Sequence, residues 1–149
     1  MGQRPSCSLV VDYPLPPPLP SRLRSLTRRL QRQLTGGRAF TILFTSDECL
    51  RRLNRRFRRR NRPTDVLSFP SNDGAEYLGD IAISVPTAQR QAAEHGHDLL
   101  SELSILILHG VLHLLGMDHE RDHGEMARAE RWWRSRLGLP DGLIERACQ

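Results

Sequence analysis

The order of hydrophobic and polar positions along the chain predicts its helices and strands. Leu23, Leu26 and Leu30 recur at helical spacing with arginines between them, which indicates an amphipathic helix. Ser21 is its predicted N-cap, and the glycines at 36–37 are its predicted end. The arginines of this helix form its solvent-facing side.

A second amphipathic helix is predicted after residue 45. Leu50, Leu53 and Phe57 share one face of it, and either Ser46 or Asp47 supplies the N-cap. Its opposite side consists mostly of arginine.

Short runs rich in β-branched and aromatic residues predict four strands, at residues 7–13, 38–45, 63–70 and 77–84. A turn signal at Asn72 to Gly74 allows the last two strands to pair as a hairpin. Prolines dominate residues 14–20, which favours an extended connector, with a partner-binding motif as the alternative.

Three further helices are predicted in the second half of the chain. The first is capped by Ser84 and stops at Gly96, the second is apolar and begins after Asp98, and the third ends at Gly138. The resulting order, β-α-β-α-β-β-α-α-α, predicts a single α+β domain over residues 1–149. We expect a small mixed four-stranded sheet with about five helices packed on it.

Composition makes the chain basic through arginine alone. Its 149 residues include 22 arginines and no lysine, and the formal net charge is +5. Codon bias is one explanation, and bidentate pairing of guanidinium groups with phosphate is another. Three cysteines without C-x-x-C spacing indicate a reducing compartment, so a cytoplasmic location is predicted. Neither a membrane span nor an export signal is recognisable.

Eight arginines and no acidic residue occupy positions 51–62. Like charges at helical spacing destabilise a helix unless a polyanion neutralises them, so the cluster predicts contact with nucleic acid. An ordinary solvated face is the alternative interpretation. The predicted nucleic-acid contacts are Arg51, Arg55, Arg58, Arg59 and Arg62.

The apolar helix that follows Asp98 contains the candidate metal site. His109 and His113 are four residues apart and therefore project from one face, and Gly116 can end the helix so that His119 returns over that face. The spacing H-x-x-x-H-x-x-G-x-x-H predicts one ion with an open fourth position, as in catalytic zinc sites. Zinc is expected from its availability, and other divalent transition metals also suit imidazole.

The residue after the first histidine of this motif bears on the reaction. Zinc proteases with the same metzincin-like spacing carry Glu there as general base, whereas this chain has Gly110. A zinc metalloprotease is therefore disfavoured. His95 and His97 fall in a predicted loop and are interpreted as solvent-exposed, outside the metal site.

The segment from His109 to His119 resembles the signature of the YbeY family, the metal-dependent endoribonucleases of ribosomal RNA maturation. Three further stretches support the resemblance, at residues 53–58, 63–69 and 78–81. It covers most of residues 50–120 and covers residues 1–20 poorly, and Met117 departs from the family's usual polar or aromatic residue. The resemblance implies a single-strand-specific endoribonuclease with zinc on three histidines. It also implies 3′ end maturation of small-subunit ribosomal RNA and ribosome quality control.

The resemblance implies single-stranded RNA, a ribosomal RNA precursor and the small ribosomal subunit as partners. Arg58 matches the family's arginine before the proline-threonine turn and would lie near the metal, where it could neutralise charge developing on phosphorus. Asp118 and Asp80 are further catalytic candidates, for orienting a ligand or taking a proton, with turn hydrogen bonding as their alternative role. A non-catalytic ribosome-assembly factor with a structural metal is the remaining hypothesis, and the open fourth ligand position disfavours it.

Overall fold

The computed structural model describes residues 6–58, 65–72 and 76–140, with Arg58 described by its backbone alone. The elements follow the predicted order. They are β1 (Ser8–Val11), α1 (Leu19–Gln33), β2 (Ala39–Thr45), α2 (Asp47–Arg58), β3 (Val66–Pro70), β4 (Tyr77–Ser84), α3 (Val85–His95), α4 (Leu99–Leu114) and α5 (Glu125–Leu137).

The strands form one mixed sheet in the order β1-β2-β4-β3. β1, β2 and β4 run parallel, and β3 pairs antiparallel with β4, as the hairpin signal predicts. Parallel neighbours require a crossover, which α1 provides between β1 and β2. The predicted α+β class, with a small mixed sheet and five helices, is confirmed for the described ranges.

α4 is buried on nearly every side because it contacts β3, β4, α1, α3 and α5. Phe40 and Ile42 of β2 and Ile81 of β4 belong to the same buried cluster as Leu106 and Leu112 of α4. A helix in this position must be apolar all round, which explains its sequence. Among the described helices, none combines the length and apolarity that crossing a membrane would require.

α2 packs against the opposite face of the sheet. A Cβ on Gly110 of α4 would touch the side chain of Ile81, so Ile81 points towards α4. Side chains alternate along a strand, so Asp80 and Ala82 point away from α4. On that far face, Leu50 of α2 forms a second, smaller buried cluster with Ala82 and Leu67.

Three of the predicted N-caps are present. The side chains of Ser46, Ser84 and Asp98 each accept the backbone N–H three residues later, at 3.2, 3.3 and 2.8 Å. Ser46 rather than Asp47 therefore caps α2. These bonds satisfy backbone donors that a helix leaves unpaired in its first turn.

The prediction for the start of α1 is wrong by three residues, because the N-cap is Pro18 and not Ser21. The helix begins at Leu19, and the Ser21 hydroxyl donates to the carbonyl of Pro18 at 3.0 Å instead of capping. Pro20 is tolerated because a first-turn residue needs no N–H donor within the helix. The connector between β1 and α1 thus spans residues 12–18, two residues earlier than the predicted 14–20, and its Leu15 is buried in the main core.

Candidate metal centre

His109 and His113 lie one turn apart near the C-terminal end of α4. Their rings pack edge to face with centroids 4.7 Å apart, and their Nε2 atoms are 3.1 Å apart. His109 is buried and His113 is half-buried. This is the same-face placement that the four-residue spacing predicts.

A tight turn after α4 brings the third histidine back. Gly116 has a φ of +94°, a conformation that glycine adopts without a steric penalty. The N–H groups of Gly116 and Met117 donate back to carbonyls of the last helical turn at 2.9 and 3.1 Å, which is a Schellman motif. One ligand atom of His119 then lies within 4.8 Å of one from each of the other two histidines.

The chemistry of these three side chains fits a divalent transition metal. Nδ1 of His119 is buried and has no hydrogen-bond partner among the described residues. Burial, followed by the charges of His109 and His119, lowers the pKa of His113 to about 4, so its imidazole is neutral near pH 7. Neutral imidazole is the ligating form, and a buried nitrogen without a partner is costly. One shared ion would supply all three partners.

Glu130 of α5 is a site residue that the sequence analysis missed. Its Oε2 lies 2.9 Å from Nδ1 of His109, and the residue is only 1% exposed. This contact holds the ring proton on Nδ1 and leaves Nε2 to face the other histidines, as carboxylate partners do for metal-binding histidines. The sequence does contain an indication of this role. Glu130 lies four residues after Met126 and three before Trp133, on the buried face of its helix, where a carboxylate needs a partner.

Gly110 packs against the sheet and not towards the histidines. A Cβ at this position would meet three carbon atoms of the Ile81 side chain at 3.0 to 3.2 Å. The Gly110 carbonyl also accepts the hydroxyl of Ser68 on β3 at 3.2 Å. A larger side chain here would point at β4, and Ile81 would have to move by a few tenths of an ångström to admit it. The direction of this position therefore disfavours a general base beside the histidines.

A cavity of about 550 Å³ opens beside the centre and is lined by His113, His119, Asp118 and Val66 of β3. Asp118 accepts the backbone N–H of Glu120 at 3.1 Å and lies 3.6 Å from Nε of Arg121. Its carboxylate is thus a turn hydrogen-bonder that also borders the cavity. This position is compatible with both predicted roles, which are turn hydrogen bonding and action on a ligand in the cavity.

The structure does not bring Asp80 to the histidines. It lies on the sheet face that points away from α4, where its carboxylate accepts the hydroxyl of Tyr77. Tyr77 also lies 2.7 Å from Oγ1 of Thr41, and burial raises its pKa, with the Asp80 contact adding to that effect. Asp80 therefore lies outside the metal centre, because the sheet separates the two.

The predicted nucleic-acid contacts are only partly within the described residues. Arg51 and Arg55 are exposed on α2, as are their neighbours Arg52 and Arg56. Arg59, Arg62 and the side chain of Arg58 lie outside the described part of the chain, so their predicted roles stay predictions.

His97 is not the exposed loop residue that the sequence indicated. Its side chain is 12% exposed, and its Nε2 lies 2.7 Å from Oε1 of the buried Glu102. The pair lies at the N-terminal end of α4, so His97 is outside the metal centre, as predicted. The exposure prediction was wrong because Glu102, one turn into α4, is buried and needs a polar partner.

Comparisons with known proteins bear on this arrangement. Residues 21–138 match the family model described as endoribonuclease YbeY. A curated relative of that name from Solibacter usitatus is 56% identical over 124 residues, which is 83% of each chain. One from Koribacter versatilis is 54% identical over 83% of this chain and 80% of its own. A solution structure of a Thermotoga maritima protein superposes with a TM-score of 0.60 at 26% identity, covering 88% of this chain and 93% of the other.

Proposed function

Because the chain belongs to the YbeY endoribonuclease family, we propose that it is a metal-dependent endoribonuclease that cuts single-stranded RNA. Its proposed role is 3′ end maturation of small-subunit ribosomal RNA and ribosome quality control, in contact with the small subunit. The observation that carries the proposal is the convergence of three histidines within 4.8 Å beside an open cavity. Cys7 and Cys49 are free thiols, which is compatible with a reducing cytoplasm.

The proposed cofactor is one zinc ion per chain, held by His109, His113 and His119. Bound there, such an ion would supply Lewis-acid chemistry, by polarising a phosphoryl oxygen or by lowering the pKa of a water. Glu130 orients the His109 ring for this task through the contact of 2.9 Å at Nδ1. Asp118, on the cavity wall, is available to orient the substrate or take a proton.

The arginines of α2 are the proposed contacts to the RNA backbone. Arg51 and Arg55 are exposed, and after Glu48 the helix contains no acidic residue. Guanidinium groups pair bidentately with phosphate, and the electrostatic free energy of such contacts dominates non-specific affinity for nucleic acid. By resemblance to the family, Arg58 is proposed to stabilise charge that develops on the reacting phosphate.

The metalloprotease and the non-catalytic assembly factor are less well supported. The first lacks a general base after the first histidine, and a Cβ at Gly110 would lie only 3.0 Å from the Ile81 side chain, on the side of the sheet. The second would be expected to have a closed metal site, whereas this one borders a cavity of about 550 Å³.

One experiment separates these functions. The metal-loaded protein is incubated with single-stranded RNA, with DNA of matched sequence and with unfolded casein, and His113→Ala serves as the control for activity that depends on the centre. We expect cleavage of RNA alone, abolished in the variant. Casein cleavage that His113→Ala abolishes, with RNA left intact, would overturn the proposal in favour of the protease. Cleavage of none of the three would favour the assembly factor.

A further inference from the structure

A groove on the sheet face opposite α4 has no part in the metal centre. It has a volume of about 780 Å³ and lies between α2 and the sheet. Its walls are largely apolar and include Leu43, Leu53 and Phe69, while Thr41 and Asp80 add polar groups. Binding sites for small flat ligands commonly combine an apolar wall of this kind with a few polar groups.

Phe57 lines this groove with 58% of its surface exposed. Its ring packs edge to face on Phe69 with centroids 5.5 Å apart, and the Arg56 guanidinium lies 5.3 Å from the Phe57 centroid. These contacts hold the ring in place while leaving much of it in solvent. An exposed aromatic ring beside a guanidinium group is a platform on which unpaired nucleobases stack.

Charge around the groove favours RNA over an apolar peptide as its occupant. Four exposed arginines of α2 lie on the helix that forms one wall, and they are Arg51, Arg52, Arg55 and Arg56. Phosphates would neutralise these charges, whereas an apolar peptide would leave them unpaired. The carboxylate of Asp80 would repel phosphate, but it can accept a hydrogen bond from the N–H groups at the edge of a base.

We propose that this groove binds an unpaired nucleobase of the RNA substrate, stacked on Phe57, with neighbouring phosphates on Arg55 and Arg56. The inference rests on the proposed endoribonuclease function and adds to it a binding site across the sheet from the histidines. β3, an edge strand, joins the two sites, since Phe69 lines the groove and Val66 lines the cavity of the metal centre. Three residues of strand span about 10 Å, so one RNA chain crossing the edge at β3 can reach both.

The test compares Phe57→Leu, which keeps an apolar side chain without a π face, with Phe57→Trp, which keeps the face. Trp132→Leu is the matched control, because Trp132 is also an exposed aromatic ring, 54% exposed, with the Arg136 guanidinium 4.7 Å from its centroid, but it lies on α5. Single-turnover cleavage of a single-stranded RNA by the metal-loaded protein is measured over a range of protein concentrations. Circular dichroism confirms that each variant is folded.

Phe57→Leu should raise the protein concentration for half-maximal cleavage by about 5- to 150-fold, the range expected for loss of one stacked base, and leave the maximal rate unchanged. Phe57→Trp should restore the wild-type value, and Trp132→Leu should not differ from wild type. A 2-aminopurine placed at successive positions of the RNA should be quenched on binding at one position by wild type and not by Phe57→Leu.

The outcomes separate this inference from the function on which it rests. If wild type neither binds nor cuts RNA, both the endoribonuclease function and the groove proposal are overturned. If wild type and Phe57→Leu bind and cut RNA equally well, the endoribonuclease function stands and the groove is overturned as a base-binding site. A lower maximal rate with unchanged half-saturation would also overturn the groove as a base-binding site, because the loss would then lie in the chemical step.

Discussion

The carboxylate of Glu130 is predicted to raise the metal affinity of the centre without touching the metal. It is 1% exposed, and its Oε2 lies 2.9 Å from Nδ1 of His109, so it fixes which ring nitrogen faces the centre. Such carboxylate partners contribute about 10- to 100-fold to metal affinity, equal to about 1.4 to 2.7 kcal/mol. Glu130→Gln keeps an acceptor and loses the charge, so we expect the smaller loss, and Glu130→Ala should show the larger one.

The assay is a zinc dissociation constant measured by competition with a chelator of known affinity. The same difference should appear in stability, because at a fixed free zinc concentration each tenfold loss of affinity removes about 1.4 kcal/mol of the zinc-dependent gain in the free energy of unfolding. Unfolding the metal-free variants separates this effect from any loss of packing around residue 130.

Glu125→Gln is the matched control for the change of charge. Glu125 is an exposed carboxylate in the first turn of the same helix, so its substitution should change zinc affinity by no more than about twofold. A zinc dissociation constant for Glu130→Ala equal to that of wild type would refute the reasoning. The contact between Glu130 and His109 would then serve packing alone.

Four further results are expected. His113→Ala should lose the bound metal, because two imidazoles remain, and full occupancy by elemental analysis would remove the site from these residues. The metal-free protein should lose stability as pH falls from about 6.5 to about 4, because His113 takes up a proton in the unfolded chain in that window, whereas burial keeps it neutral in the folded protein. Urea unfolding at a series of pH values checks this, and the free energy of unfolding should depend less steeply on pH in His113→Ala than in wild type. Arg58→Ala should lower the cleavage rate at saturating RNA by about 10²-fold with metal content unchanged, whereas Arg55→Ala should mainly raise the RNA dissociation constant; a wild-type rate for Arg58→Ala would make it a phosphate contact only. RNA affinity should fall with salt with a log–log slope of about −3 for about four neutralised phosphates, and a flat response would make α2 an ordinary solvated surface.

The histidine cluster was predictable because local geometry alone determines most of it. A spacing of four residues places His109 and His113 on one face of any helix, and Gly116 supplies the left-handed turn that returns the chain. The caps at Ser84 and Asp98 were predictable for the same reason, since a cap depends on residues three positions apart.

Features that depend on distant parts of the chain were not predictable to the same degree. Glu130 reaches His109 only because α5 packs on α4, and no local rule specifies that contact. Asp80 belongs to a stretch that supports the family resemblance, but the alternation of side chains along β4 points it away from the centre. The sheet order likewise follows from long-range strand pairing, whereas the elements themselves follow from local periodicity.

The sheet divides the molecule into two sides with different physical requirements. On one side, His109 is buried on a helix that packs against β3, β4 and three other helices, and ligand geometry must be held to about 0.5 Å for a metal site to work. On the other side, the arginines of α2 stay in water. Their pairing with RNA phosphates, which releases counterions from the RNA, requires no rigid packing. Substitutions of the exposed arginines of α2 should therefore change RNA affinity with the free energy of unfolding altered by no more than about 0.5 kcal/mol, whereas substitutions at buried positions of α4 should change metal content and stability together.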